Sequence, residues 1–326
     1  MATIKDVARE AGLTVTTVSR VLNNRGYISE DARKKVYDAM EKLNYQPNEV
    51  ARSLHKKTTN TIGLIVPHIR HPYFAEMISN IENEAFKKGY RILLCNTKGK
   101  AEKEREYLDI CTSNRVVGVI LFSGTISVES FIQMDVPVIT MERTLDNGTA
   151  SVECDNRTGG ELAAKRLLEA GCKHLLLVGS TSGKVELPAD NRVLGFRKAC
   201  EEKQVSFIEI DPNLREYEDM EYTELLENTL IQYPETDGVF ASSDVIAAQT
   251  IQVCNKLGIA VPGQMKIIGF DDSFVATLTT PQLTTIHQPV KEMAEQAVQL
   301  LKDASDKKVV AKRMMLPVCL VERGTV

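Results

Sequence analysis

Hydrophobic and polar positions follow two different patterns along the chain. Between residues 3 and 44, apolar side chains recur at helical spacing: Ile4, Val7, Ala8 and Ala11 up to Gly12, then Val18, Val21 and Leu22, then Val36, Ala39, Met40 and Leu43. This pattern predicts three short helices. Ser29, followed by two acidic residues, is placed to cap the third. Tyr45-Gln46-Pro47 then ends helicity, because the residue before a proline is pushed out of the α region. From residue 61 the pattern becomes short apolar runs: TIGLIVP (61–67), RILLCN (91–96), VVGVILF (116–122), VPVITM (136–141), HLLLVGS (174–180), DGVFASSD (237–244) and MKIIGFDD (265–272). These predict strands buried on both faces. The stretches at 73–89, 158–171 and 245–258 between them are amphipathic and end in glycine, as helices do. Alternating strands and helices imply parallel sheets covered on both sides, and this many strands predict two of them.

Composition narrows the possibilities. The 326 residues leave room for roughly two units of about 150 residues. No apolar run approaches the roughly 18 residues of a membrane span. The first ten residues hold no apolar leader core, so a cytoplasmic protein without membrane contact is expected. Seven scattered cysteines and five histidines without ligand spacing predict buried thiols, with no disulfide framework and no metal site. The net charge of −4 conceals a division: residues 1–60 carry eleven Lys and Arg against seven Asp and Glu, the remainder 29 against 37. A front end at +4 on a body at −8 permits one local contact with nucleic acid.

Residues 4–12, the turn Leu13-Thr14-Val15 and the helix TTVSRVLN (16–23) have the arrangement of a helix-turn-helix, whose second helix lies in the major groove. Val15 offers a surface to a thymine methyl, Thr16 a hydroxyl, and Arg20 a fork for guanine O6 and N7. Thr3, Thr14, Thr17, Ser19 and Asn23 are candidates for phosphate. A three-helix bundle with a merely solvated Thr/Arg face is the alternative. Further along, ligands of doubly wound sheets bind at the carboxyl ends of strands. That directs attention to His68–Phe74, Arg143, Asp155, Asp244 and Asp271-Asp272. No G-x-S-x-G, Walker or G-x-G-x-x-G motif is present, and RTGGEL (157–162) lacks the lysine of a phosphate loop. Neither catalysis nor a cofactor is expected.

TIKDVAREAGLTVTTVSRVLN followed by YQPNEVARSL (45–54) resembles the signature of the LacI family of bacterial transcriptional regulators. The resemblance continues through GLIVPHIRHPYFAEMI (63–78), NRVLGF (191–196), GVFASSD (238–244), IIGFDD (267–272) and LTTIHQP (283–289). It implies an all-α helix-turn-helix headpiece (1–45), a hinge helix and linker (46–60), and an α/β core (61–326). The core would be similar to periplasmic sugar-binding proteins: two doubly wound parallel-sheet subdomains, about 61–156 with 288–316 and 157–285 with 317–326. The hinge would order on operator DNA and insert Leu54 into the minor groove, with Ala51 and Ser53 small enough for close approach. A homodimer, or a higher oligomer, would read a pseudo-palindromic operator with salt-sensitive affinity.

For the effector, the resemblance points to Tyr73, Phe74, Arg143, Asp155, Arg192, Asp244 and Asp271. Aromatic faces with carboxylates and guanidinium groups suit a polyol. Each also has a plainer role: Phe74 in a helix core, Arg192 in solvent, Asp244 or Asp271 in a cap or turn. Glu186 and Pro188 stand where purine-sensing members carry Arg and Thr, whereas MERTLDN (141–147) and PADNRVLGF (188–196) resemble repressors of the sucrose-operon type. A sugar or sugar phosphate is therefore expected to act through an allosteric coupling whose sign, induction or corepression, is open. A global catabolite regulator or a solute-binding protein would use the same core. The headpiece opposes the latter.

Overall fold

The computed structural model describes residues 2–22, 26–46, 59–122, 134–143, 148–179 and 190–326. Asn23 and the hinge residues Ala51, Ser53 and Leu54 lie outside the described residues, as do Glu186 and Pro188. The chain separates into two compact units, Met1–Thr59 and Asn60–Val326.

The first unit holds α1 (Ile4–Ala11), α2 (Val15–Leu22) and α3 (Glu30–Lys42). Val7, Ala8, Val18, Val21, Val36 and Ala39 make its core. So small a core depends on well-finished helix ends. Asp6 accepts the Thr3 N–H and hydroxyl at 2.9 and 2.7 Å, Gly12 closes α1 at φ 65°, and Ser29 Oγ accepts the Ala32 N–H. Thr14 Oγ1 accepts the Thr17 N–H at 3.1 Å, which starts α2 immediately after the turn.

The second unit contains two six-stranded sheets. One has the order β11-β5-β4-β3-β1-β2, from β1 (Thr61–Val66), β2 (Arg91–Asn96), β3 (Gly118–Leu121), β4 (Val138–Met141), β5 (Ala150–Cys154) and β11 (Arg313–Leu316). The other runs β12-β10-β9-β8-β6-β7, from β6 (Leu175–Val178), β7 (Phe207–Ile210), β8 (Gly238–Ala241), β9 (Lys266–Asp271), β10 (Thr284–His287) and β12 (Cys319–Val321). Alternation along β1 shows why the sheets are covered on both sides. Ile62, Leu64 and Val66 face the core shared with α4 (Pro72–Lys87), whereas Ile65 faces Leu108 and Cys111 of α5 (Ala101–Ser113).

Two expectations are corrected. RILLCN is an edge strand with Arg91 and Leu94 exposed, so it is not buried on both faces. The second sheet is not wholly parallel, because β12 pairs antiparallel with β10, Ile286 opposite Leu320. The runs also overlook β5, β7, β10, β11 and β12, which carry polar residues or lie at sheet edges.

After β5 the chain passes through α6 (Asn156–Glu169) into the second sheet and continues through α7 (Asn191–Glu202), α8 (Leu214–Asp219), α9 (Thr223–Gln232), α10 (Asp244–Leu257) and α11 (Phe274–Leu278). After β10, α12 (Val290–Ser305) returns to pack on α4. β11 completes the first sheet and β12, three residues later, the second. The connections at 154–156, 287–290 and 316–319 therefore join the two halves. Among the described residues no helix is long and apolar enough to cross a membrane.

Candidate effector site and nucleic-acid interface

In the first unit, α2 buries Val18 and Val21 and turns Val15, Thr16 and Arg20 to solvent, with Ser19 half-buried between them. The guanidinium of Arg20 lies against Gly26, where an added Cβ would stand 2.9 Å from Nη2. The predicted base-reading residues thus share one outward stripe. Thr3 and Thr17, predicted for phosphate, sit at helix starts and use polar groups in the caps described above.

In the second unit, the carboxyl ends of both sheets converge on Arg192. Its Nε and Nη2 donate to Asn156 Oδ1 at 3.1 and 2.7 Å, and its Nη1 donates to the Ser242 carbonyl at 2.7 Å. The guanidinium carbon stands 3.7 Å from the centre of the Phe270 ring, and Nη1 is 4.0 Å from Asp271 Oδ1. Arg192 is 8% exposed, so the solvated role is excluded. What brings it here is the packing of α6 on α7. A Cβ on Gly160 would meet the Arg192 carbonyl at 1.8 Å, and one on Gly195 the Arg157 carbonyl at 2.0 Å. The two backbones touch, and only glycine permits it.

Asp271 ends β9 at φ 119°, a conformation that side chains larger than glycine's seldom adopt. The turn presents its carboxyl to Arg192 and to Gln288, whose Nε2 donates at 2.7 Å. Burial, then the neighbouring Asp244, holds this carboxyl well above the usual range. Asp272, one residue on, pairs with Arg323 at 2.5 Å and His287 at 2.9 Å. Asp272 and Arg323 border a separate cavity of about 460 Å³ lined also by Pro72, Glu76 and Phe274.

Asp244 is fully buried behind Asp271. Its Oδ2 accepts the Ser273 N–H and hydroxyl, and its Oδ1 accepts the Thr285 hydroxyl at 2.5 Å. Its described partners are therefore framework groups that bind β10 and the turn after β9. Burial pushes its carboxyl up to about 6. Because the folded state holds the proton more tightly than the unfolded chain, the associated stability is present below about pH 3.8 and is lost as pH rises through about 6. Asp244→Asn should flatten that loss in denaturant titrations of the full chain between pH 4 and 7. An unchanged slope would refute it.

On the first sheet's side, Phe74 packs edge-on against Tyr73, His71 and Phe122 at centroid distances of 5.2–5.7 Å. Tyr73 is buried, as are His68 and its hydrogen-bonding nitrogen. The Tyr73 hydroxyl, His71 Nδ1, His68 Nε2 and Gln288 Oε1 have no partner among the described residues. Burial pushes His71 down to about 4, so its ring is neutral at neutral pH. Asp155 caps α6, accepting the Thr158 N–H and hydroxyl. Arg143 is buried after β4, with the charge of Glu104 beside it and its carbonyl bound by the Thr140 hydroxyl. Of the seven predicted residues, the structure gathers Tyr73, Phe74, Arg192 and Asp271 at the centre. Asp155 caps the crossover helix α6, Asp244 holds the turn after β9 from behind, and Arg143 lies buried after β4 beside the charge of Glu104.

Three participants went unpredicted. Asn156 fixes Arg192. Glu142, at φ 52°, accepts the Cys154 N–H at 2.8 Å and the Asn156 amide at 2.6 Å, which ties the end of β4 to the crossover. Tyr217 of α8 meets His68 edge-on at 5.1 Å and so spans the two halves. Its phenol is raised by burial and by Asp271.

Residues 3–48 match the model of the bacterial regulatory proteins of the lacI family, and residues 164–326 match the periplasmic binding protein-like domain. The chain is 37% identical over its whole length to the ribose operon repressor of Halalkalibacterium halodurans, covering 97% of that protein. It is 36% identical to the sucrose operon repressor of Streptococcus mutans, with both chains fully covered. A LacI-type regulator from Alkaliphilus metalliredigens, solved with D-xylulofuranose, matches 82% of this chain and 99% of its own, at 32% identity and TM-score 0.73. The lac repressor dimer on its operator shares the fold at TM-score 0.87 over 99% and 98% of the two chains, at 23% identity. The chain belongs to the lacI family of bacterial regulatory proteins.

Proposed function

We propose that the protein is a cytoplasmic, non-catalytic repressor of a carbohydrate-utilisation operon, which binds a pseudo-palindromic operator as a homodimer and responds to a sugar held between its core halves. The observation that carries this reading is the pairing of an outward Val15–Thr16–Arg20 stripe with a buried site whose unpartnered atoms suit hydroxyl groups. The ribose and sucrose operon repressors, and the neighbour solved with a sugar, support it. So does the neighbour solved as a dimer on its operator.

In the proposed mechanism, a ligand that ties Tyr73 and His71 to Arg192 and Asp271 changes the angle between the halves. That alters the spacing of the two hinge segments and of Leu54 within each. A coupling of about 1–3 kcal/mol corresponds to roughly 5- to 150-fold in operator affinity.

Arg20→Ala should weaken binding to a palindromic operator by roughly 5- to 150-fold, relax base preference at one position per half-site and leave core stability unchanged. Leu54→Ala should weaken it through loss of the kink. Fluorescence anisotropy across a salt series measures both effects. Unchanged affinity in both variants would refute the DNA-binding assignment.

A further inference from the structure

Cys95 and Cys111 lie thiol to thiol in the first sheet's outer layer, away from the effector site. Cys111 of α5 sits over Gly63 of β1, where an added Cβ would stand 2.5 Å from its Sγ. A glycine inside a strand marks a close approach, and here it makes room for a sulfur. Gly63 is in register with Leu93 of β2, and Cys95, two residues on, turns its thiol back to donate to the Leu93 carbonyl at 3.8 Å. Neighbouring strands are only about 4.8 Å apart, so the two sulfurs meet above the β1–β2 ladder. There the Cys111 thiol donates to the Cys95 sulfur. That hydrogen bond holds the Cys95 thiol below its ordinary value and, with burial, Cys111 above it. One sulfur is thereby suited to attack and the other stands beside it to resolve the product. Burial pushes the thiols of Cys154, Cys172, Cys200 and Cys254 up, which leaves them poor nucleophiles, and Cys319 is exposed on β12. Cys95 and Cys111 are themselves buried, but β2 ends the sheet, with Arg91 and Leu94 exposed. An edge strand can open without the rest of the sheet, and a peroxide is small and uncharged enough to enter.

We propose that Cys95 and Cys111 form a modification site, a dithiol oxidised by peroxide to a disulfide that staples edge strand β2 to α5. The Cys95 sulfur, its proton lost to water, attacks one oxygen of hydrogen peroxide. The O–O bond breaks, and the departing hydroxide takes up a proton and leaves as water. The Cys111 sulfur then displaces the hydroxyl of the Cys95 sulfenic acid, which leaves with the Cys111 proton as a second water. Two thiols and one peroxide become one disulfide and two waters. Two residues beyond Cys95, Thr97 binds the end of β1 through the Val66 carbonyl, and Lys98 follows, its charge acting on His68. The staple therefore fixes the strand that carries Lys98 to the rim, and it forms whatever the effector is.

Hydrogen peroxide treatment of the full-length Cys319→Ser protein, which lacks the exposed thiol, tests this directly. Its six thiols, seven less Cys319, should fall to four on titration in denaturant. Mass spectrometry should find the peptides of Cys95 and Cys111 joined, and dithiothreitol should restore all six thiols. The oxidised protein should melt roughly 6–12 °C higher, as closing a loop of about 15 residues predicts. With Cys111→Ser added, Cys95 should instead accumulate as a sulfenic acid that dimedone traps. Six thiols surviving a peroxide dose that oxidises Cys319 in the parent chain, or a disulfide joining any other pair, overturns the proposal. A lower melting temperature on oxidation overturns the staple, because the bond would then not fit the folded state.

Discussion

Arg192→Ala should lose about 3 kcal/mol of core stability and all effector-dependent heat, while operator binding by the folded fraction persists. The substitution strips Asn156 Oδ1 and the Ser242 carbonyl of their charged donor, uncovers the Phe270 ring, and leaves the Asp271 carboxyl without its counter-charge. Breaking a buried charged pair costs about 3–5 kcal/mol. The lower bound is apt because 4.0 Å is a long ion pair. At roughly 2–4 °C per kcal/mol for a unit of this size, the melting temperature should fall by roughly 6–12 °C. Arg192→Lys should recover part of the stability and none of the binding, since an ammonium cannot reproduce the fork shared between Asn156 and Ser242. Differential scanning calorimetry of both variants, with the binding sugar added, provides the check. A melting temperature within 2 °C of the parent for Arg192→Ala would mean that the guanidinium carries little of the joint.

Gly160→Ala and Gly195→Ala should each cost about 3 kcal/mol, and the double variant should cost clearly less than their sum. Each methyl would enter the space of a carbonyl on the facing helix, at 1.8 Å from Arg192 and 2.0 Å from Arg157. Carbonyls cannot rotate away as side chains can, so α6 and α7 must move apart. Overpacking of this kind costs about 1–3 kcal/mol, and more where backbone is involved. Once one methyl has forced the separation, the second finds space already open, which makes the pair non-additive. Effector affinity should fall as well, because Arg192 rides on the displaced helix. Denaturant unfolding of the two single variants and the double variant measures the coupling. Strict additivity would show that the helices do not move as a unit.

These glycines illustrate how far the sequence could be read. RTGGEL reads in the sequence as the start of an amphipathic helix and lacks the lysine of a phosphate loop, which leaves its paired glycines without a reason. Their reason, close approach to NRVLGF about 34 residues later, depends on which helices meet, and no local pattern records that. The three headpiece helices and the seven apolar strands were legible because a 3.6-residue stripe and a doubly buried strand differ in period. β5 escaped because Ser151 and Glu153 alternate with its apolar positions. Both are buried in the fold, Glu153 paired with Arg313 of β11. Arg192, Asp271 and Tyr73 could be named through family resemblance. Asn156, Glu142 and Tyr217 could not, because their importance comes from a backbone turn or a contact across the two halves.

The late return of the chain to its first sheet also affects its synthesis. Residues 61–154 supply five of that sheet's six strands, yet α12 and β11 arrive only at residues 290–316. At roughly 5–20 residues per second, a ribosome takes on the order of ten seconds to make the intervening segment. Throughout that interval the nascent first sheet presents the face meant for α12 and the β5 edge meant for β11. The helix-turn-helix unit, complete by residue 59, can fold long before either is covered. The segment most in need of chaperone protection is therefore the first half of the sensor, and slowing elongation between residues 155 and 290 should raise aggregation without impairing the headpiece.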